Sequence, residues 1–342
     1  MNKLTFSFLT LFLIFIAGFE VMAADIIEEQ TTQRDLGVTE ENVYKKVEAV
    51  REGKKYKAKF FLSAQQGYDN NVFLDPRRKK DTFSEGIFDA GVAYSLNSRW
   101  DVIGDVSVHD ISYWEATDAS LVDTNFKLGF KGKLFANISL TALNDIEMVE
   151  YKSNDDGEFI GDKTILTLNQ KLPNNFFHTF GYEFFYKNYS DRKATNGWGG
   201  ESDKDRVDHR NTFDYDVGVY FKRAMLKLRG EYFLNKSNEA YHDYYDYESK
   251  KLGCSLIYLL TDKMSAYFSL TKQFKTFSAR TIPNDITRRE HDHGYVAMSS
   301  IFYDLYKNTT LAFSYAYRQN RSNNPSQKYS GSITTLGMHL RF

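Results

Sequence analysis

Apolar and polar residues alternate with a period of two along most of this chain. In the first such run Tyr56, Phe60 and Leu62 share one face, and Lys57 and Lys59 lie on the other. Because successive side chains of a β-strand point to opposite faces, the run predicts a strand with one apolar face and one polar face. About fourteen strands are predicted in this way, within a range of roughly 12 to 16. Further runs of this kind occur near residues 88–96, 100–108, 122–131, 136–149, 164–172, 176–188, 209–222, 224–234, 246–260, 264–275, 293–305, 309–319 and 329–342.

Short and long connections alternate between the predicted strands. Outer-membrane barrels have brief periplasmic turns and longer outside loops, and single-chain bacterial barrels have an even number of strands. The alternation therefore predicts an all-β fold over residues 56–342, a transmembrane up-and-down antiparallel β-barrel with both ends on the periplasmic side. Short turns are predicted near 97–99, 134–135, 173–175, 222–223, 261–263 and 306–308, and long loops near 70–83, 112–121, 150–163, 189–208, 235–245, 276–292 and 320–328.

The last strand ends on a bare aromatic residue. Leu336, Met338, Leu340 and Phe342 share one face of it. This ending resembles the carboxyl-terminal signature that outer-membrane barrels present to the barrel assembly machinery. We expect these side chains to form the lipid face of a closing strand paired with the strand that starts at Tyr56. The ending indicates the bacterial outer membrane, with its lipids and lipopolysaccharide as partners.

The amino terminus has the features of a secretory leader. Lys3 precedes an apolar run over 4–19, and Val21-Met22-Ala23 follows as a cleavage site. This predicts a signal peptide at 1–23. The alternative is a retained membrane anchor, for which the apolar run is short.

Residues 24–55 lack the alternating pattern and are predicted to form a periplasmic segment with one short helix. Thr39 can cap this helix, Val43 and Val47 share a face, and Gly53 ends it. Such a segment could plug the lumen or dock on a partner, or serve as a tether.

Composition excludes several other classes. Charged residues make up 26% of the chain, and mean hydropathy is −0.51. After the leader, no stretch approaches the roughly twenty apolar residues that a spanning helix needs.

Aromatic residues make up 16%, as expected if rings form girdles at both membrane interfaces. A net charge of −1 gives no electrostatic reason to expect nucleic acid as a partner. Cys254 is the only cysteine, so no intramolecular disulfide can form.

A short motif connects the first predicted hairpin with a known family. The stretch Gly67–Phe73, which reads GYDNNVF, is followed by Lys79–Phe83 and by a strand that runs to Leu96. It resembles the opening of the beta-barrel porin 2 family, and the resemblance covers the barrel from Tyr56 to Phe342. It implies an outer-membrane barrel associated with exopolysaccharide synthesis and export systems, with polysaccharide and export-complex proteins as partners.

The same loop carries three oxygen-bearing side chains, Asp69, Asn71 and Asp75, at spacings that could hold calcium. A complete calcium loop also needs a glycine at the sharp turn and a bidentate acid at its end, which are missing here. We expect side-chain hydrogen bonds to the loop backbone instead. No metal and no cofactor are predicted.

Polar side chains on the second face of the strands should line the interior. They carry both signs of charge, so they could form a selective constriction or an ion-paired network that stiffens the wall. Fourteen strands lie between the filled interior of about eight and the open channel of about sixteen, which permits a narrow pore. The candidate lumen and permeation residues are Asp89, Asp105, His109, Asp123, Lys127, Glu183, Asp214, Asp216, Lys227, Arg229 and Glu231.

A tyrosine cluster surrounds the fifth long loop. Rings flanked by acids such as Asp243 and Asp246 can stack on sugar faces while the acids accept hydrogen bonds from hydroxyl groups. An interfacial girdle would explain the same residues without a ligand. The candidate saccharide-stacking residues are Tyr241, Tyr244, Tyr245 and Tyr247.

Catalysis has little support in the sequence. His109 follows Asp105 on one strand face, and His291 and His293 sit at a loop-to-strand boundary. A hydrolase needs a base within hydrogen-bond reach of a nucleophile or a positioned water molecule, which this spacing does not establish. We expect no catalytic residues and no enzyme activity.

The leading hypothesis is a porin-like outer-membrane barrel that takes part in passage of an exopolysaccharide or a smaller saccharide. One alternative is an outer-membrane hydrolase that modifies lipid or polysaccharide. The other is a structural or adhesin barrel that binds a surface partner through its long loops.

Overall fold

The computed structural model describes residues 55–153, 157–241, 243–283 and 285–342. Fourteen strands form one closed antiparallel sheet in which each strand pairs with its neighbours in the chain and the last pairs with the first. The predicted all-β up-and-down barrel is confirmed. The predicted signal peptide and, except for Lys55, the periplasmic segment lie outside the described residues.

The strands are long, and most have 13 to 15 residues. Short 3₁₀ helices lie in the described connections, at Thr117–Ala119, Pro173–Asn175 and Pro325–Gln327. In the part of the chain that the structure describes, no helix is long and apolar enough to cross a membrane. The strands are β1 (Tyr56–Asp69), β2 (Asp81–Ser95), β3 (Trp100–Tyr113), β4 (Leu121–Phe135), β5 (Ile138–Tyr151), β6 (Phe159–Lys171), β7 (Phe176–Thr195), β8 (Glu201–Tyr220), β9 (Ala224–Ser237), β10 (Tyr247–Leu259), β11 (Met264–Ile282), β12 (Asp285–Tyr306), β13 (Thr309–Ser322) and β14 (Tyr329–Arg341).

The first and last strands close the barrel. Their register runs from Phe61 opposite Arg341 to Asp69 opposite Ile333. The backbone N–H of Phe342 donates to the Phe60 carbonyl at 2.9 Å, and that of Phe60 donates in return at 3.0 Å. Both ends of the barrel therefore lie at the end that carries the short turns, as predicted. We call this the turn end, and the opposite end the loop end.

The sheet separates apolar from polar side chains as the alternation predicted. Outward side chains include large exposed apolar groups such as Leu128, Leu252, Leu270 and Phe313, which are 48–65% exposed. Inward side chains are largely polar or charged, and many of them are buried. An exposed apolar band around the outside of a barrel is the surface that contacts lipid in outer-membrane barrels.

Two hairpins extend further than the sequence pattern predicted. Strands β7 and β8 run to Thr195 and from Glu201, so they include most of the loop predicted at 189–208. Strands β11 and β12 likewise cover most of the loop predicted at 276–292. Beyond the lipid the outer face of a hairpin meets water, so polar residues occur on that face as well and the alternation disappears.

Candidate functional site

The connection between β1 and β2, residues 70–80, folds into the loop end of the lumen, and we call it the inner loop. Val72 and Leu74 have no exposed surface. They pack in one apolar cluster with inward side chains from β2 to β7 and from β14. The cluster therefore fills the loop end over about half of the barrel's circumference. Its members on the strands are Phe83, Ile111, Tyr113, Leu121, Val149, Tyr151, Phe159, Phe185, Tyr189, Tyr329 and Ile333.

A buried ion pair holds the start of the inner loop against the wall. Arg318 Nη2 on β13 donates to both carboxylate oxygens of Asp69 at 2.9 Å. The Tyr113 hydroxyl donates to the same carboxylate at 3.2 Å, and the Asn71 backbone N–H donates to it at 2.9 Å. Asp69 and Arg318 are 0% and 1% exposed. In such low-dielectric surroundings the Asp69 carboxylate depends on these donors, because an uncompensated buried charge is costly.

Asn71 ties the inner loop to itself and to β14. Its side-chain amide donates to the Asp75 carbonyl at 2.9 Å and to the Ser330 carbonyl at 3.0 Å. A Cβ added at Gly331 would lie 2.8 Å from the Asn71 Cβ, so glycine allows this close approach. The three side chains considered for calcium, including Asp69, are thus engaged in hydrogen bonds. Among the described residues, no group of three or more metal-ligating side chains is arranged around a common point.

A cavity of about 290 Å³ lies beside this cluster, near the middle of the strands from β4 to β10. Its wall combines carboxylates, ammonium and guanidinium groups, threonine hydroxyls and aromatic rings. Six acidic and six basic side chains line it, so its formal charges balance. The charged members are Lys127, Asp145, Glu147, Lys163, Glu183, Lys187, Arg210, Asp214, Asp216, Arg229, Glu231 and Lys251.

Most of these charges are paired across neighbouring strands. Lys163 Nζ lies 3.0 Å from a Glu147 oxygen, and Arg210 lies 3.1 Å from Glu183. Lys251 Nζ lies 3.2 Å from Glu231. This geometry matches the ion-paired wall considered from the sequence. Buried charges need such partners because their desolvation is costly.

Lys187 differs from the other buried bases of the wall. It is 5% exposed and lines the cavity. Its ammonium lies 4.6 Å from the Phe159 ring centroid and 4.7 Å from that of Phe185. Within the described ranges no carboxylate comes within 4.0 Å of it. Two ring faces therefore hold this cation beside the cavity.

All eleven candidate lumen residues lie on the inner face, seven of them in or next to the cavity and four apart from it. Six line the cavity: Lys127, Glu183, Asp214, Asp216, Arg229 and Glu231. Lys227 lies nearer the turn end and pairs with Asp216 at 2.9 Å. The other four lie apart, on β2 to β4: Asp89, Asp105, His109 and Asp123. A role of any of the eleven residues in permeation stays a prediction.

The second group makes its own local contacts. Lys59 Nζ lies 2.8 Å from Asp105, and His109 Nε2 lies 3.0 Å from Glu85 Oε1. Asn125 donates a short hydrogen bond to Asp123. His291 and His293 lie on the outer face, where the His293 ring stacks edge-on to Phe274 at 5.3 Å. His109 thus lies on a different strand and a different face from His291 and His293, and the absence of enzyme activity stays a prediction.

The candidate tyrosines lie in and above the mouth of the barrel. Tyr245 and Tyr247 are buried inside it, Tyr244 is half-buried and Tyr241 is 40% exposed. The Arg206 guanidinium lies 3.4 Å from the Tyr245 ring centroid. Lys275 Nζ lies 3.9 Å from that of Tyr247, and Arg280 lies 4.6 Å from that of Tyr244. Since Tyr245 and Tyr247 face inward, they do not belong to a lipid-facing girdle.

Sequence reasoning missed lysines and arginines that contact aromatic rings inside the barrel. Lys187, Arg206 and Arg210 share a strand face with residues that were identified, so the period of two carries the signal for these three. Lys187 lies four residues after Glu183, and both face inward. The missed residues are Lys163, Lys187, Arg206, Arg210, Lys251, Lys275 and Arg280.

The comparisons with known proteins concern the fold. No family model matches the chain, and no curated protein matches it. Among solved structures it is similar to outer-membrane expressed OmpT of Vibrio cholerae, with 9% identity over 85% of this chain and 99% of that chain and a TM-score of 0.54. An anion-selective porin from Comamonas acidovorans follows, with 8% identity over 84% and 99% and a TM-score of 0.49.

A FadL homologue of Pseudomonas aeruginosa has 9% identity over 84% of this chain and 90% of that chain, with a TM-score of 0.48. Identities this low concern the fold alone, and the fold in common is that of bacterial outer-membrane barrels. The turn end then faces the periplasm and the loop end faces the outside, as in outer-membrane barrels generally. The chain has the fold of a bacterial outer-membrane β-barrel.

Proposed function

We propose that this barrel passes a saccharide, either an exopolysaccharide or a smaller saccharide, across the outer membrane by passive permeation. The cavity carries the proposal. Phe185 and Phe233 provide ring surface there, and Thr167, Thr179 and Thr212 lie among paired charges. A sugar has apolar C–H faces and hydroxyl groups that both donate and accept hydrogen bonds, so it complements this mixture.

The resemblance to the beta-barrel porin 2 family supports the same substrate class. The motif Gly67–Phe73 lies where β1 ends and the inner loop begins. Its Asp69 and Asn71 hold that loop in the lumen, and its Val72 enters the apolar cluster. The motif that carries the family resemblance therefore contains residues that hold the inner loop inside the lumen.

Aromatic residues outside the mouth offer a first contact for a saccharide. Trp198 is 96% exposed at the tip of the β7–β8 hairpin, and Tyr241 is 40% exposed. A Cβ added at Gly199 would lie 3.1 Å from the Tyr241 ring, so the hairpin tip and the next loop meet there. Both rings have surface exposed at the outer side.

Passage requires the inner loop to move. Val72 and Leu74 occupy the loop end together with side chains from seven strands, β2 to β7 and β14. The cavity lies next to that cluster, on the side that faces the turn end. In the proposed cycle the barrel is closed while residues 70–80 pack on the wall, and it is open when these residues leave the wall.

Current blockade in planar bilayers tests the proposal. The purified full chain should conduct, and an added oligosaccharide should interrupt the current while it occupies the cavity. Replacing Phe233 by Leu removes ring surface from the cavity and should shorten each interruption severalfold. Phe313→Leu changes a ring that is 48% exposed on the outer face, and it should leave the interruptions unchanged.

Two results would contradict the proposal. The first is an absence of conductance even after the inner loop is shortened. The second is conductance that no neutral or acidic oligosaccharide interrupts.

A further inference from the structure

Outward side chains on four adjacent strands form a basic patch at the loop end. Lys250 on β10 lies opposite Phe274 on β11, which lies opposite His293 on β12, which in turn lies opposite Arg321 on β13. This register places the four side chains in one row across the outer face. Lys272 belongs to the next row, opposite Tyr295. We call Lys250, Lys272, His291, His293 and Arg321 the basic patch.

Aromatic rings hold the cations of the patch. Lys272 Nζ lies 4.6 Å from the Phe274 ring centroid and 5.2 Å from that of Tyr295. The Arg321 guanidinium lies 5.4 Å from the Tyr295 centroid, on its other side in the register. These cations therefore have positions fixed by the barrel wall rather than by flexible loops.

The patch lies at the outer boundary of the lipid. The apolar band of such barrels is about 25 Å tall, and strands tilted by about 40° rise about 2.5 Å per residue along the barrel axis. About ten residues therefore cross the band. Phe274 is ten residues from Met264 at the turn end of β11, and His293 is thirteen from Tyr306 at that end of β12. The row of the patch lies at the level of the lipid headgroups on the outside.

The charge of the outer rim differs between two sides of the barrel. Among the described outward side chains around the patch one carboxylate, Glu248, lies 3.2 Å from Lys250. On β3, β5 and β6 the outward side chains at the corresponding level include Asp110, Glu150 and Asp162. Lys152 lies 2.9 Å from Asp110. A general need for solubility would not separate the charges in this way.

We propose that the basic patch binds a phosphate group of lipopolysaccharide in the outer leaflet. Guanidinium and ammonium groups are the usual protein partners of phosphate, and the imidazoles can donate further hydrogen bonds. Toward the turn end the same face presents Leu252, Leu270 and Phe313, which are 48–62% exposed. Acyl chains can lie along these side chains while the phosphate meets the row of cations. The proposal concerns the outer face and is independent of what passes through the lumen.

Binding of purified bisphosphorylated lipid A to the full chain in detergent tests this inference, with native mass spectrometry as the readout. The triple variant Lys272→Gln, His293→Gln, Arg321→Gln should bind at least tenfold more weakly. Lys152→Gln on the opposite rim is the matched control and should bind as the unchanged protein does. Enzymatically dephosphorylated lipid A should bind the unchanged protein as weakly as the triple variant binds the phosphorylated form.

Folding is checked separately, because a closed barrel resists detergent and migrates faster in a gel until it is heated. The conservative variant Arg321→Lys keeps the charge and should retain most of the binding. Equal binding of phosphorylated and dephosphorylated lipid A would overturn the proposal. So would a loss of binding in Lys152→Gln as large as in the triple variant, or binding that disappears when EDTA removes divalent cations, since a metal bridge to the acidic side would then explain it.

Discussion

Replacing Arg318 by Met should release the inner loop. The change leaves the Asp69 carboxylate buried without its cation, although Tyr113 and Asn71 still donate to it. Removal of one partner from a buried pair costs about 3–5 kcal/mol. Because movement of the loop lets water reach Asp69, opening relieves most of this cost. At about 1.4 kcal/mol per factor of ten, the ratio of closed to open barrels should fall by roughly a hundredfold or more.

Single-channel recording measures that ratio directly. The Arg318→Met barrel should show more frequent and longer openings than the unchanged protein. A double variant, Asp69→Asn with Arg318→Met, removes both charges and should open less often than the single variant, because no uncompensated charge remains. Lys193→Met breaks an exposed pair with Asp205 on the β7–β8 hairpin and serves as the control. Equal open fractions in all four proteins would refute the role of the buried pair.

Further predictions concern the wall and the cavity. Gly331→Ala places a methyl group against Asn71, so it should increase openings in the same recordings, and unchanged openings would show that the loop does not depend on this approach. Lys187→Met removes a cation that has no carboxylate within ion-pair distance in the described residues, so thermal unfolding should change little while reversal potentials in a KCl gradient shift toward cation selectivity. Lys163→Met instead removes the base that pairs with the buried Glu147, so it should destabilise the barrel by about 3–5 kcal/mol. Equal stability of the two lysine variants would contradict the pairing described for the wall.

The fold followed from the sequence because lipid and lumen impose opposite demands on alternate residues. Phe60 and Leu62 had to be apolar, and Lys57 and Lys59 had to face water, so the period of two was visible. The same reasoning failed where lipid ends. Residues 189–208 form a hairpin that extends past the lipid, and backbone pairing continues there without an apolar outer face.

The inner loop was harder to predict. Val72 and Leu74 are apolar residues within a polar stretch, and such residues can mark a segment that folds inward. The sequence alone does not indicate that Arg318 is the partner of Asp69. The two residues are 249 positions apart, and they meet only when the barrel closes. Closure and strand register therefore determine this contact.

The candidate site was identified in part for the same reason. Parity assigns Glu183 and Lys187 to the inner face, but parity alone does not say which acid meets which base. Lys163 pairs with Glu147 because the β5–β6 register brings the two strands into that alignment. The period of two and the charges thus predict a polar lumen. The strand register determines which cations have a carboxylate partner, and Lys187 contacts aromatic rings instead.

Uptake of an oligosaccharide by liposomes tests the central claim most directly. Liposomes with the full chain are compared with liposomes in which residues 71–79 of the chain are replaced by a short glycine-serine link, and swelling in an oligosaccharide gradient is recorded. The account predicts slow swelling with the full chain and a severalfold faster rate with the shortened loop. Swelling no faster than in protein-free liposomes for both proteins, with the barrels shown to be folded, would contradict it.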